Sequence, residues 1–300
     1  MASSDLAIGV IFLSQTVVGF LGNFLLLYHY SFLYFTRCTL RSTDLIIKHL
    51  AVANSLVILF KGVPQTMAAF LLKHSLSDIE CKLVFYVHRV GRGVSMGNTC
   101  LLSVFQAITI SSRDSRWTEL KLQTPKYIGL FSILCWVLNM LVNICVSMHM
   151  IGKQNSKNNT AKVDYGYCSG TVNNRTALSL YNSLLLFYDI LCVGLMIWAS
   201  GSMAFTLYRH KQQVQHIHGT NLSPRSSPES RITQSILVLV SSFVSFFTLS
   251  SILSLYSSFF HKPSWWLVNT SALITSCFPT VSPFIFMSRD PRISRINYAC

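Results

Sequence analysis

The stretch LAIGVIFLSQTVVGFLGNFLLLY, residues 6–28, has no charged side chain and is long enough to cross a lipid bilayer. A membrane-spanning helix needs about 20 consecutive apolar residues. An open strand is excluded from hydrocarbon because its backbone N–H and C=O groups would have no partners there. The run is longer than the apolar region of a signal peptide, and no basic segment precedes it. We therefore predict an uncleaved first transmembrane helix.

The composition extends this prediction to the whole chain. Hydrophobic residues make up 51% of the 300 residues and charged residues 11%, whereas soluble domains carry about 25% charged residues. We predict a single all-α domain over residues 1–300, folded as a bundle of seven transmembrane helices. The predicted spans are 6–30, 44–72, 81–112, 127–149, 178–208, 231–259 and 264–288. The second and third spans are interrupted by polar and charged residues, so we expect them to face the bundle interior.

The positive charges predict the orientation of the bundle. The formal net charge is +14, and the Lys and Arg residues lie mostly between the apolar runs. The positive-inside rule accounts for this placement, so we expect no nucleic-acid partner. Asp5 precedes the first span, while Arg37 and Arg41 follow it. This predicts an amino terminus outside the cell and a short cytoplasmic carboxyl-terminal tail. We expect the basic segment 209–230 to be a mobile cytoplasmic loop.

The topology sorts the nine cysteines of the chain. Cys81, at the outer end of the third span, and Cys168, in the second outer loop, are the two expected in an oxidising compartment. Two candidates allow one pairing, so we predict a disulfide between them. The same outer loop carries Asn158 and Asn174, each of which begins an N-x-T acceptor for N-glycosylation. We predict that both asparagines are glycosylated.

Four longer segments carry a family resemblance. They are LRSTDLIIKHLAVANSLVILFKGVPQTMAA (40–69), HRVGRGVSMGNTCLLSVFQAITIS (88–111), ESRITQSILVLVSSFVSFF (229–247) and CFPTVSPFIFMSRDPRI (277–293). On these segments the chain resembles the vomeronasal type 1 receptors, a branch of the seven-helix G-protein-coupled receptors, nearly from end to end. The resemblance implies a plasma-membrane receptor for pheromone-like or odorant-like small molecules that activates a heterotrimeric G protein.

Two alternatives stay open at this point. A bitter-taste receptor is the nearest one, and the four segments disfavour it. A transporter or channel is the other, and the lack of an internal repeat weakens it. Compared with rhodopsin-like receptors, the chain has Asn54 in place of the usual sodium-binding aspartate, and residues 282–286 (SPFIF) replace Asn-Pro-x-x-Tyr. It also lacks an Asp-Arg-Tyr triplet near residues 110–112 and has Ser112 where the family usually has proline.

Charged residues within the spans are the candidates for ligand binding. Arg89 and Arg92 are three residues apart, so we expect them on one face of the third span. Asp189, beside Tyr188 in the outer half of the fifth span, is expected to pair with them, because an isolated buried charge is costly. The group could contact the ligand or could be a structural ion pair. Lys61 could likewise extend toward the membrane surface or contact the ligand.

The inner half of the bundle holds the candidates for signalling. The resemblance implies that Phe105, Gln106 and Thr109 face the G protein, although helix packing would explain the same residues. Pro279 and Pro283 each remove a backbone hydrogen bond and bend the seventh span. That bend could be a hinge that moves on activation or a static feature.

Motifs of catalysis or metal binding do not occur in the sequence. There is no H-E-x-x-H and no cysteine pair at metal-binding spacing. Gly91, Arg92 and Gly93 lie inside an apolar span and not between a strand and a helix, so they predict no nucleotide site. We expect neither an enzyme nor a bound metal or cofactor.

Overall fold

The computed structural model of the chain describes residues 3–35, 42–70, 76–110, 115–147, 150–152, 162–164, 168–171, 175–218, 238, 240–250, 252–253 and 265–289. Its helices follow the predicted order of spans. The first span is Ser3–Phe35, the third Asp78–Ile110, the fourth Ser115–Ser147, the fifth Arg175–His218 and the seventh Trp265–Arg289. The second span consists of Ser42–Val57, a π-helical segment Ile58–Gly62 and Val63–Ala69. The sixth is described over Val240–Ser250.

Helix length and composition agree with a membrane bundle. Six helices in the described ranges are long and apolar enough to cross a membrane, and Val240–Ser250 is a shorter apolar helix. Large apolar side chains such as Leu21, Phe24 and Leu25 are about half exposed on the outer surface of the bundle. Lipid is the solvent in which such a surface is stable. The predicted all-α membrane fold is confirmed.

The second and third spans lie inside the bundle, as expected from their polar residues. In their most apolar windows 50% and 56% of the residues are buried, against 17–33% in the other four long helices. The third span contacts the second, fourth and fifth, while the first packs against the seventh and second. The main buried cluster includes Leu50, Met96, Leu102, Met196 and Phe278. The third span is therefore the central helix of the fold.

The π-helical segment Ile58–Gly62 places an extra residue in one turn of the second span and contains Lys61. Pro64 follows it, and a proline lacks the N–H that would continue the regular hydrogen-bond pattern. Single π-helical turns accommodate such interruptions inside α-helices. Gly62 faces the side chain of Thr16 on the first span, where a Cβ atom would collide. A larger residue at position 62 would therefore force the Thr16 side chain or the two helices to shift.

A small antiparallel sheet in the second outer loop was not predicted from the sequence. Its strands are β1 (Met150–Gly152), β2 (Lys162–Asp164) and β3 (Cys168–Thr171), in the order β1-β3-β2. The register pairs Gly152 with Cys168 and Asp164 with Ser169. Strands of three or four residues are too short for their alternation of side chains to stand out in a sequence.

The expectation for the segment 209–230 was wrong over its first part. The fifth helix continues to His218, well beyond the predicted end of the span at residue 208. The added residues 209–218 include Arg, Lys and three Gln, which have high helix propensity. They are mostly polar, so no apolar run marks where this helix ends.

Candidate functional site

A polar centre joins the second, third and seventh spans. Asn54 is buried on the second span, where its Nδ2 donates to Ser282 Oγ at 2.9 Å. The Ser95 hydroxyl of the third span donates to Asn54 Oδ1 at 2.7 Å. Asn54 therefore bridges three helices through hydrogen bonds between neutral groups.

A second link holds the bend of the seventh span. In an α-helix the N–H of residue 283 would donate to the carbonyl of residue 279, but Pro283 has no N–H. Asn23 Nδ2 on the first span donates to that carbonyl of Pro279 at 2.9 Å, and to its own-helix carbonyl of Gly19 at 2.8 Å. The first span thus supplies the hydrogen bond that the proline removes. The two prolines predict a bend from the sequence alone. The structure shows that Asn23 bonds to the carbonyl that Pro283 leaves without a donor.

Charged and ionisable side chains form a second group in the outer half of the bundle. Asp189 of the fifth span interacts electrostatically with Arg92 and, less strongly, with Arg89 of the third span. Lys61 lies close enough to interact electrostatically with Arg92, and His88 is close enough to feel the charges of Lys61, Arg92 and Arg89. The structure therefore brings the predicted Arg–Asp group together and adds Lys61 and His88 to it.

Arg89 and Arg92 differ in their neighbours although they are three residues apart. Arg89 Nε donates to Asn143 Oδ1 of the fourth span at 3.3 Å. The guanidinium of Arg92 lies over the ring of Phe247 on the sixth span, with its carbon 4.6 Å from the ring centroid. A cation over an aromatic face is attracted by the ring quadrupole. Two arginines expected on one face of the third span therefore have different partners.

Arg92 also lines a cavity between the second, third, sixth and seventh spans. The cavity measures about 30 Å³, and Ser95, Ser250 and Thr275 contribute the polar part of its wall. A single water molecule needs roughly 10–15 Å³ of such space, so about two water molecules fit. This space is smaller than an organic ligand.

Tyr188 was predicted to contact the ligand, and the structure shows it in contact with neighbouring helices. Its hydroxyl donates to the carbonyl of Gly93 at 3.1 Å and lies 3.9 Å from the Cys135 sulfur. A Cβ atom on Gly97 would lie 2.8 Å from the same hydroxyl. Tyr188 thus joins the third, fourth and fifth spans where glycines allow close approach.

The residues proposed for the cytoplasmic side lie in the last turns of the third span. Phe105 packs against the main buried cluster. The Thr109 hydroxyl donates to the carbonyl of Phe105 at 2.8 Å. Its hydrogen bond is therefore made within its own helix. Gln106 between them is half-buried. These contacts describe their packing, and their contact with a G protein stays a prediction.

The outer loop is fixed to the bundle by a disulfide. The sulfur atoms of Cys81 and Cys168 are bonded, and both residues are fully buried beside Phe85. The bond attaches β3, the central strand of the small sheet, to the outer end of the third span. It joins the pair named from the sequence. Asn158 and Asn174, the predicted glycosylation sites, lie outside the described residues.

Sequence reasoning did not single out the buried ring nitrogen of His88 or the buried Asp44. His88 Nε2 is inaccessible to solvent and has no hydrogen-bond partner in the described part of the chain. Asp44 is 1% exposed in the first turn of the second span, where the helix dipole favours a negative charge. The signal for His88 was available, because it precedes Arg89 directly in an otherwise apolar helix. The folded chain is needed to see that its Nε2 has no hydrogen-bond partner in the described residues.

Comparison with known proteins identifies the family. The model of the vomeronasal organ pheromone receptor family matches residues 6–299. Vomeronasal type-1 receptor 3 of Homo sapiens is 68% identical over 301 residues, covering 100% of this chain and 96% of the relative. Vomeronasal type-1 receptor 4 of Homo sapiens is 58% identical, covering 100% and 99%. Vomeronasal type-1 receptor 45 of Mus musculus is 35% identical, covering 95% and 89%. The chain therefore belongs to the vomeronasal organ pheromone receptor family, a family of seven-helix membrane receptors.

Proposed function

We propose that this chain is a chemosensory receptor of the plasma membrane that binds a pheromone-like or odorant-like small molecule and activates a heterotrimeric G protein. Family membership over nearly the whole chain supports a receptor above a transporter or channel. The relatives that it matches carry the name vomeronasal type-1 receptor. The ligand would enter from the outer side, and the G protein would bind at the cytoplasmic ends of the helices.

The charged group inside the bundle is the observation that supports a ligand site at this level. Lys61, His88, Arg92 and Asp189 come from three different spans and lie close enough to interact. Ionisable residues are costly inside a membrane and typically mark a functional site. The buried Nε2 of His88 would gain a hydrogen bond from a polar ligand group at this level.

Activation follows from the closed packing around this group. The cavity beside Arg92 accommodates only small molecules such as water, so an agonist would favour a packing with more space between the third and sixth spans. A ligand shifts such an equilibrium only by its differential affinity for the two packings. The links from Asn54 to Ser282 and from Asn23 to Pro279 would transmit the change to the seventh span. In this proposal Pro279 and Pro283 form the hinge about which the seventh span moves on activation.

The inner part of the third span would be the region that couples the bundle to the G protein. Phe105, Gln106 and Thr109 lie within the last two turns before Ile110. We assign them to the surface that responds to the G protein, through the packing of Phe105 on the core. A change in the position of the sixth span would alter that packing first.

The proposal is tested by nucleotide exchange on a purified G protein with the purified receptor and a library of volatile and steroid compounds. We expect a dose-dependent increase with at least one compound. Arg92→Gln should weaken the response, whereas Leu21→Ala, on the lipid-facing surface, serves as the control. Compound-dependent ion or solute flux in liposomes without nucleotide exchange would instead establish a transporter or channel.

A further inference from the structure

The cavity beside Arg92 has the chemistry of a site for an anion. Arg92, Ser95, Ser250 and Thr275 form its polar wall, and four phenylalanine side chains form much of the rest. Within the described residues no acidic side chain lines it. An apolar wall lowers the local dielectric constant and strengthens the attraction between the guanidinium and a negative charge.

The charges around the cavity favour the same sign of ligand. Lys61 and Arg89 add two positive charges in the neighbourhood of Arg92. The carboxylate of Asp189 offsets one of the three. Bringing several cations together in a membrane interior is unfavourable, and a bound anion reduces that repulsion. A cation would be repelled from the same position.

Arg92 has the donors that such a ligand needs. A guanidinium carries five N–H groups in one plane, and its central carbon lies 4.6 Å from the centroid of the Phe247 ring. The hydrogen bonds of a guanidinium form along the edges of that plane.

Ser250, on the sixth span, supplies a hydroxyl to the same wall. The hydroxyls of Ser250 and Thr275 are 2.7 Å apart, and Thr275 also hydrogen-bonds to the carbonyl of Ser271. Either hydroxyl can donate in the contact between them, and in one of the two arrangements the proton is that of Ser250. Rotation of the Ser250 hydroxyl would bring the same proton to an ion, since a serine hydroxyl turns to suit its acceptor.

We propose that this cavity binds a small monovalent anion between Arg92 and Ser250. Its volume of about 30 Å³ exceeds the roughly 10–15 Å³ that one water molecule requires. The ion could be a free halide or the anionic group of an organic ligand. In both cases it would connect the third span to the sixth. The proposal goes beyond the receptor function, because binding would stabilise the bundle whether or not the protein signals.

The test is thermal unfolding of the full-length chain in lipid nanodiscs. Sodium chloride and sodium bromide are compared with sodium gluconate, whose polyhydroxylated chain does not suit the apolar wall of the cavity, at equal sodium concentration and ionic strength. We expect the halides to raise Tm in a saturable way, as ligands of the native state do. Equal Tm values in the three salts would exclude a free halide, and the absence of stabilisation by benzoate as well, tested below, would overturn the proposal.

Two variants and a control locate the site. Arg92→Gln should weaken the apparent halide affinity about tenfold or more, since a charge-assisted hydrogen bond is lost. Arg89→Gln removes a nearby charge from a residue that does not line the cavity, and should weaken the halide effect much less than Arg92→Gln. If Arg92→Gln does not fold, Ser250→Ala keeps the guanidinium and should weaken binding several-fold. The assignment is overturned if the variant that folds, Arg92→Gln or else Ser250→Ala, shows an unchanged halide effect, because the ion then binds elsewhere.

An organic arm separates the two sources of the anion. Benzoate is titrated into the gluconate buffer, with benzamide as its uncharged counterpart. Stabilisation by benzoate but not benzamide, removed by Arg92→Gln, would support the anionic group of an organic ligand. Stabilisation by halides alone would support a free ion. This test measures stability and not nucleotide exchange. Failure of the anion proposal would therefore leave the receptor function intact, and failure of the receptor function would leave the anion proposal intact.

Discussion

The hydrogen bond from Asn23 to Pro279 gives a quantitative prediction about the bent seventh span. Asn23 is fully buried, and its amide is within 2.9 Å of the Pro279 carbonyl, whose helical donor is missing at Pro283. Asn23→Ala leaves this buried carbonyl without that donor. The carbonyl of Gly19 keeps its partner, because the backbone N–H of residue 23 still donates to it within the helix.

The magnitude follows from two opposing effects. An unsatisfied buried carbonyl costs about 1–3 kcal/mol, while polar contacts between membrane helices measure about 0.6–2 kcal/mol. Asn23 Oδ1 has no hydrogen-bond partner in the described residues, so its removal recovers part of the loss. We therefore expect Asn23→Ala to lower the free energy of unfolding by about 1 kcal/mol. Thermal unfolding of the purified receptor would show a drop in Tm of roughly 2–4 °C.

The double mutant isolates the cause. Pro283→Ala restores an N–H at residue 283, which can donate to the carbonyl of residue 279. In that background Asn23→Ala should cost close to nothing, giving a coupling energy of about 1 kcal/mol. Gly201, on the fifth span with no atom within 4 Å of an added Cβ, provides the control substitution Gly201→Ala. An equal loss from Asn23→Ala in both backgrounds would refute the assignment of Asn23 as the replacement donor.

The remaining predictions concern the outer half and the outer loop. Cys168→Ser breaks the disulfide to the third span and should lower stability by about 2–4 kcal/mol, seen as reduced surface expression and Tm; unchanged values would contradict its role as an anchor. Asp189→Ala should reduce surface expression because it strands a buried cation, and exchanging the charges of Asp189 and Arg92 should partly restore it; no recovery would argue against their pairing. Enzymatic removal of N-glycans should increase gel mobility, and Asn158→Gln with Asn174→Gln should abolish that shift; a shift that persists would indicate another acceptor.

Predictions that depend on one local property agree with the structure. Apolar runs such as residues 6–28 indicate helices because lipid leaves the backbone no other way to satisfy its hydrogen bonds. Polar interruptions in the second and third spans indicated burial for the same reason, and those spans are the most buried. The pairing of Cys81 with Cys168 followed from topology, because the two were the candidates placed outside.

Features without a local signature escaped prediction. The fifth helix continues to His218 because its last turns are polar and carry no hydrophobic periodicity to mark an end. The three short strands of the outer loop depend on pairing between residues that are distant in sequence, such as Gly152 with Cys168. The alternation within any one of them is too short to indicate a strand.

The sequence by itself determined the family, the helical membrane fold, the residues that carry charge into the bilayer and the two prolines of the seventh span. Only the tertiary structure decided what those residues contact. Arg89 bonds to Asn143 while Arg92 lies over the ring of Phe247, and Asn23 donates to the carbonyl that Pro283 leaves without a donor. The reason is physical: hydrophobicity and backbone chemistry act along the chain, whereas the partner of a buried polar group depends on how the helices rotate and approach each other.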